Sequence, residues 1–120
     1  MRLLVCGSRD CDSAPEIYSW LNAVDHQVGQ IEVIIHGDAY GADKISGKWA
    51  EYEGRQVEVY PADWNKHGRG AGHIRNQQML DEGFPDRVLA FFRAGQETPG
   101  TKNMIERARK AGVPVTIVEF

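Results

Sequence analysis

Ile31-Glu32-Val33-Ile34-Ile35-His36-Gly37-Asp38-Ala39-Tyr40-Gly41-Ala42-Asp43 carries the repeating unit of the fold in one stretch. Its Val33-Ile34-Ile35 centre is a continuous β-branched run, which suits a strand covered on both faces, and the span Ile31 to His36 reads as a central parallel strand. A glycine turn follows. From Ala42 to Glu53 the apolar residues Ile45, Trp49 and Tyr52 recur near one helical face, and Gly54 supplies the stop. Strand, glycine loop and helix together make the βα unit of an open α/β sheet.

The same unit recurs on either side. Arg2 to Cys6 is a short apolar strand; Asp12 or Ser13 followed by Pro15 opens a helix whose stripe is Ile17, Trp20, Leu21 and Val24, ending near Gly29. Gln56 to Tyr60 is the third strand. A long irregular loop runs from Pro61-Ala62-Asp63-Trp64 to Gly72, a length that points to function or disorder. His73 to Glu82 then reads as helix, Arg87 to Phe92 as strand, Thr101 to Ala111 as helix and Pro114 to Phe120 as a closing strand.

Five strands interleaved with four helices predict a three-layer α/β domain over residues 1–120, with a mostly parallel sheet and helices on both faces. The chosen strand order is Rossmann-like, 3-2-1-4-5, with flavodoxin-like 2-1-3-4-5 as the alternative. In the first order the loops after Cys6 and Phe92 face each other across the crevice at the carboxyl ends of the strands, where such folds bind ligands.

The 42% apolar composition supplies one modest core and leaves no room for a second domain. No apolar run approaches the ~20 residues needed to cross a bilayer, and the Arg2-led start lacks a signal-peptide pattern, so the expectation is a cytoplasmic protein. Cys6 and Cys11 do not form a disulfide framework or a metal set and read as reduced thiols. A net charge of -3 argues against a general duplex-DNA binder. Locally, however, Lys66, His67, Arg69, His73 and Arg75 crowd one stretch around Asp63, which makes either a positive site or a solvated loop.

Four loops carry the chemistry. In Gly7-Ser8-Arg9-Asp10 the glycine permits close approach of a ligand, Ser8 offers a hydroxyl donor and Arg9 can grip phosphate in bidentate fashion; the same turn also serves packing alone. Gly37 and Gly41 allow a tight turn with backbone donors pointed at an anion, although the Walker lysine and the dinucleotide spacing are absent. Asp43 reads equally as helix cap and as partner of a ribose hydroxyl, and Asp38 fits either role. Gly70-Ala71-Gly72-His73-Ile74-Arg75-Asn76 delivers Arg75 and Asn76 at a helix start, where orphan N–H groups favour anions; the competing reading pairs Arg75 with a carboxylate such as Asp10. Trp64 either stacks on a base or caps the core. In the loop from Gly95 to Gly100, Gly100 neighbours a phosphate and Thr101 is a good N-cap.

Gly7-Ser8-Arg9-Asp10, His36-Gly37 with Gly41-Ala42-Asp43, Pro61-Ala62-Asp63-Trp64, Ala71-Gly72 with Ile74-Arg75-Asn76, and Pro85-Asp86 occur in an order that resembles the YspA-like, YpsA-related branch of the SLOG superfamily. The resemblance runs over essentially the whole chain. It implies a Rossmann-like fold and a nucleotide or nucleotide-derived ligand; its relatives include cytokinin-activating phosphoribohydrolases and DNA-processing proteins that bind single strands. One motif departs. Where those hydrolases carry Pro-Gly-Gly-x-Gly-Thr-x-x-Glu, only Gly100-Thr101 aligns here, and the catalytic glutamate position falls on Met104, which is no general base.

These readings lead to binding of a nucleotide-type ligand, with no metal and no resident cofactor required, in a sensor or accessory role. Arg9 and Arg75 hold phosphate in this reading, and Asp43 meets a ribose hydroxyl. N-glycosidic hydrolysis, with Asp10, Asp43 or Glu97 in place of the missing glutamate, is the enzymatic alternative. Single-stranded nucleic-acid binding through Trp64, Lys66, Arg69 and Arg75 is the third, disfavoured by the low basicity. Exposed apolar helix faces leave homo-oligomers open.

Overall fold

The computed structural model describes residues 1–96 and 98–120. In chain order its elements are β1 (Arg2–Gly7), α1 (Ala14–Gln27), β2 (Val33–His36), α2 (Ala42–Tyr52), β3 (Gln56–Val59), α3 (Trp64–His67) and α4 (Ala71–Gly83), then β4 (Arg87–Phe92), α5 (Pro99–Lys110) and β5 (Val115–Glu119). All pairings in the sheet are parallel, and the order is β3-β2-β1-β4-β5. The expected order 3-2-1-4-5 is therefore the observed one, with every strand parallel rather than most.

Period-two alternation along β1 explains the three layers. Leu3 and Val5 face one side, where they pack with Ile17, Leu21 and Val24 of α1 and with Trp49 of α2. Leu4 and Cys6 face the other, against Met79 and Leu80 of α4 and Met104 and Ile105 of α5. The central strands β1 and β4 are covered on both faces, as their unbroken apolar runs require. Strand β3 lies at an edge with exposed and half-buried positions, which accounts for its weaker apolar pattern.

Several expectations need correction. Trp20 is 41% exposed at the flank of the α1 stripe, and Tyr52 projects from the end of α2 to meet Tyr18 edge-on, so neither belongs to the core. The stretch from Pro61 to Gly72 is not irregular: Asp63 caps the short α3 by accepting from the Lys66 amide, a 3-10 turn spans Gly68–Gly70, and α4 has already begun at Ala71. Among the described residues five α-helices stand where four were expected. Helix α5 opens at Pro99 with Thr98 at its N-cap position, so Thr101 lies inside the first turn and is not the cap. Thr98-Pro99 is an ordinary N-cap and proline-first signature, and it was readable.

No helix among the described residues is long and apolar enough to cross a membrane. Cys6 and Cys11 are both buried and free.

Candidate functional site

The chain reverses its winding direction between β1 and β4, and the loops leaving these neighbours meet at the carboxyl edge. The Ser8 amide donates to the Phe91 carbonyl at 3.0 Å, and Arg93 Nε donates to the Asp10 carbonyl at 3.1 Å. Beside this junction lies a cleft of ≈ 530 Å³ between the loop after β1, the starts of α2 and α5, and the α3–α4 segment. That volume lies within the range of small-molecule sites.

Of the residues expected at a ligand site, Gly7, Arg9, Asp10, Asp43, Trp64, Arg75, Asn76, Gly100 and Thr101 all line this cleft. Arg9 and Arg75, from opposite halves of the sequence, thus line one cleft. Ser8, Gly37, Asp38 and Gly41 do not line it. Ser8 is buried with its Oγ unpartnered, and Asp38 is turned outward to Lys44 at 2.8 Å, which holds its carboxyl below the usual range. Gly41 has φ +85°, and a side chain there would also press on the carbonyls of Cys11 and Ser8. Its glycine is a requirement of backbone packing.

Gly37 serves another purpose. A Cβ on it would overlap the guanidinium of Arg75, whose Nη1 donates to the Gly37 carbonyl and also reaches the Tyr60 carbonyl at 3.4 Å. Arg75 Nε donates to Asn76 Oδ1 at 3.2 Å, and Asn76 in turn donates to the Gly100 carbonyl and to Asn103 Oδ1, both at 3.2 Å. A chain of hydrogen bonds therefore runs from the end of β2 to the first turn of α5. The proposed Arg75–Asp10 pair is absent: Asp10 meets Arg93 at 3.5 Å, on the surface.

The loop joining β2 to α2 spends its donors on itself. Asp43 Oδ2 accepts from the amides of Gly37 at 2.9 Å and Ala39 at 3.2 Å, and the Asp38 amide donates to His36 Nδ1 at 3.0 Å. Asp43 is only 5% exposed. Burial pushes its carboxyl up to about 6, against the opposing pull of the two amides and of Arg75. Burial likewise lowers the pKa of His36, keeping it a neutral acceptor, and raises that of the Cys6 thiol in the cleft wall.

Across the cleft, α5 begins with open donors. The Lys102 amide returns to the Thr98 carbonyl, while those of Gly100 and Thr101 precede the helical ladder and meet no acceptor among the described residues. The Thr98 hydroxyl donates to Thr101 Oγ1 at 3.0 Å. Trp64, which also lines the cleft, is 57% exposed, so it does not cap the core. Arg69 and His73, singled out for charge alone, also line the cleft, as do Thr98 and Gln96, which carried no signal of their own.

Three arginines, helix-start amides and an exposed indole around one concavity suit an anion attached to a flat ring. Met104 is fully buried in the core beneath α5, and Glu106 lines a separate groove between α4 and α5, so neither faces the cleft. Glu97, considered from the sequence beside Asp10 and Asp43 as a substitute carboxylate, lies outside the described residues. Among the described residues no cluster of His, Cys, Asp and Glu has the geometry of a metal site.

Comparison with known proteins adds two findings. Residues 1–67 match the family model described as YspA, cpYpsA-related SLOG family. Over 119 residues the chain is 38% identical to the Gene 61 protein of Mycobacterium phage D29, spanning 95% of this chain and 93% of that one.

Proposed function

The chain belongs to the YspA, cpYpsA-related SLOG family, and from that membership and the chemistry of the cleft we propose that it binds a nucleotide or nucleotide-derived phosphate compound at the carboxyl edge of its sheet. The observation that carries this reading is that Arg9 and the start of α5, whose Gly100 and Thr101 amides meet no acceptor among the described residues, line one cleft together with Arg75 and Trp64. The phosphate sits against the α5 amides and Arg9, and the ring of the ligand stacks on Trp64. Arg75, committed through Nη1 and Nε to the protein itself, presents its remaining N–H groups and its charge.

Binding is favoured over hydrolysis because, among the described residues, the cleft offers one enclosed carboxyl, Asp43, with Asp10 at its exposed margin, whereas glycoside hydrolysis uses a pair flanking the scissile bond. A sensor or accessory role is consistent with that inventory.

Calorimetric titration with AMP, ADP, ATP, ADP-ribose, cyclic nucleotides and a short single-stranded oligonucleotide tests the reading. At least one nucleotide is expected to bind, with affinity falling roughly ten- to hundredfold in Arg9→Ala through loss of a charge-assisted contact. Arg9 is exposed and its side chain makes no hydrogen bond or ion pair among the described residues, so the variant should melt like the parent. Silence across the panel defeats the proposal, and binding confined to the oligonucleotide transfers the site to nucleic acid.

A further inference from the structure

Arg75 enters the cleft with part of its guanidinium already spent, Nη1 on the carbonyls of Gly37 and Tyr60 and Nε on Asn76 Oδ1. Nη2 donates to none of the described residues. It is not enclosed either, because the buried side-chain polar atoms without a partner are, among the described residues, the hydroxyls of Ser8 and Ser46. The planar fork is held by its other two nitrogens, so the place of the free one is fixed.

That place is beside Gly72. A Cβ built on Gly72 would stand 3.6 Å from Trp64 Cη2 and 4.0 Å from Arg75 Nη2, so a ligand atom placed there touches the indole and the guanidinium at once. Gly72 lines the cleft, and it lies within α4 without the left-handed φ that demands glycine. Glycine weakens a helix. What its bare backbone does here is keep the space between Trp64 and Nη2 open. The exposed indole gives that space a flat wall, which suits a ring, while the α5 amides and Arg9 take the phosphate in the reading above.

A guanidinium donates hydrogen bonds and accepts none. A ring stacked on Trp64 with its edge over Gly72 therefore meets a donor, which receives a carbonyl oxygen and turns away an amino group. Among purines the 6-oxo ring presents two neighbouring acceptors, O6 and N7, whereas the 6-amino ring sets a donor beside N7.

We propose that Arg75 and Gly72 together select the base: Nη2 reads the ring edge through the opening that Gly72 leaves beside Trp64, and the site takes 6-oxopurine nucleotides in preference to 6-aminopurine ones. This rests on the nucleotide reading above and names its base.

The test titrates GMP, IMP and AMP into the protein and into Gly72→Ala by calorimetry. The parent is expected to bind GMP and IMP about tenfold or more tighter than AMP, through one charge-assisted hydrogen bond that the amino group cannot accept. The methyl of Gly72→Ala meets Trp64 and Arg75 at ordinary contact distance and improves helix propensity, so the variant should melt at or above the parent temperature. The same methyl fills the space that the ring edge needs. The advantage of GMP and IMP over AMP should fall to within about twofold in the variant, or disappear together with binding. AMP that binds the parent as tightly as GMP and IMP, or tighter, overturns the base assignment and leaves nucleotide binding standing. A preference for GMP and IMP that persists undiminished in Gly72→Ala also overturns it, since the reading would then occur elsewhere. Silence of all three nucleotides sinks the assignment and counts against the reading beneath it.

Discussion

The loop from Gly37 to Asp43, through Ala39 and Asp43, and the start of α5 both border the cleft, and in sequence they look alike. Each follows a strand, carries glycine and opens a helix at the same edge of the sheet. Their hydrogen bonds run in opposite directions. In the first, three successive amides are consumed by Asp43 and His36, so the loop holds its own internal anion. In the second, the amides of Gly100 and Thr101 meet no acceptor among the described residues. A glycine-rich loop is thus no cradle until its N–H groups are accounted for, since each buried donor must go somewhere.

Glycine substitution breaks the comparison most directly. At Gly37 any Cβ displaces the Arg75 guanidinium. Gly37→Ala should lose about 1–3 kcal/mol of stability in urea unfolding followed by tryptophan fluorescence, together with most nucleotide affinity. Stability within about 0.5 kcal/mol of the parent would show that Arg75 has another seat.

Asp43 gives an effect of similar size that depends on pH. Its folded pKa, near 6, lies above the 3.8 of an ordinary aspartate, so its most favourable contribution is present below about 4 and is lost as pH rises through 6. The cost of ionising it in the folded state is on the order of 3 kcal/mol at neutral pH. His36 works in the opposite sense: with its pKa lowered, it stabilises above 6.5 and loses that contribution as pH falls. Comparing the parent with Asp43→Asn cancels the His36 part. The stability difference between them should therefore move in favour of the variant as pH is raised from 4 to 7. A difference that stays constant over that interval would mean that Asp43 titrates normally.

The smallest effect belongs to Gly100. A Cβ there meets nothing within 4 Å. Gly100→Ala should leave the melting temperature unchanged or raise stability by up to about 1 kcal/mol through helix propensity. A marked loss would place Gly100 with Gly37, and the contrast between the two loops would disappear.

Much of the fold was legible because burial writes itself into periodicity. Val33-Ile34-Ile35 and Leu3-Leu4-Val5 are unbroken apolar runs, and a strand covered on both faces has no reason to alternate. Trp20 and Tyr52 misled because large amphipathic rings sit at the flanks of a stripe as readily as in it. The short α3 was missed since four residues show no period, although Asp63 is a good cap. At the cleft, residue type and position after a strand were enough to bring Arg9, Asp43, Arg75 and Thr101 to one edge. They could not reveal that Gly37 exists to seat Arg75, which lies far along the chain.

Strand content, parallel pairing and the edge at which the polar loops gather follow from local apolar pattern and connection length, and these the amino-acid order determined alone. Which amide meets which acceptor was left to the tertiary structure. Hydrogen-bond partners such as Asp43 with Gly37, Arg75 with the Gly37 carbonyl and Asn76 with Gly100 are settled by separations of a few tenths of an ångström. Only the packing of α2, α4 and α5 onto a common sheet sets distances that fine.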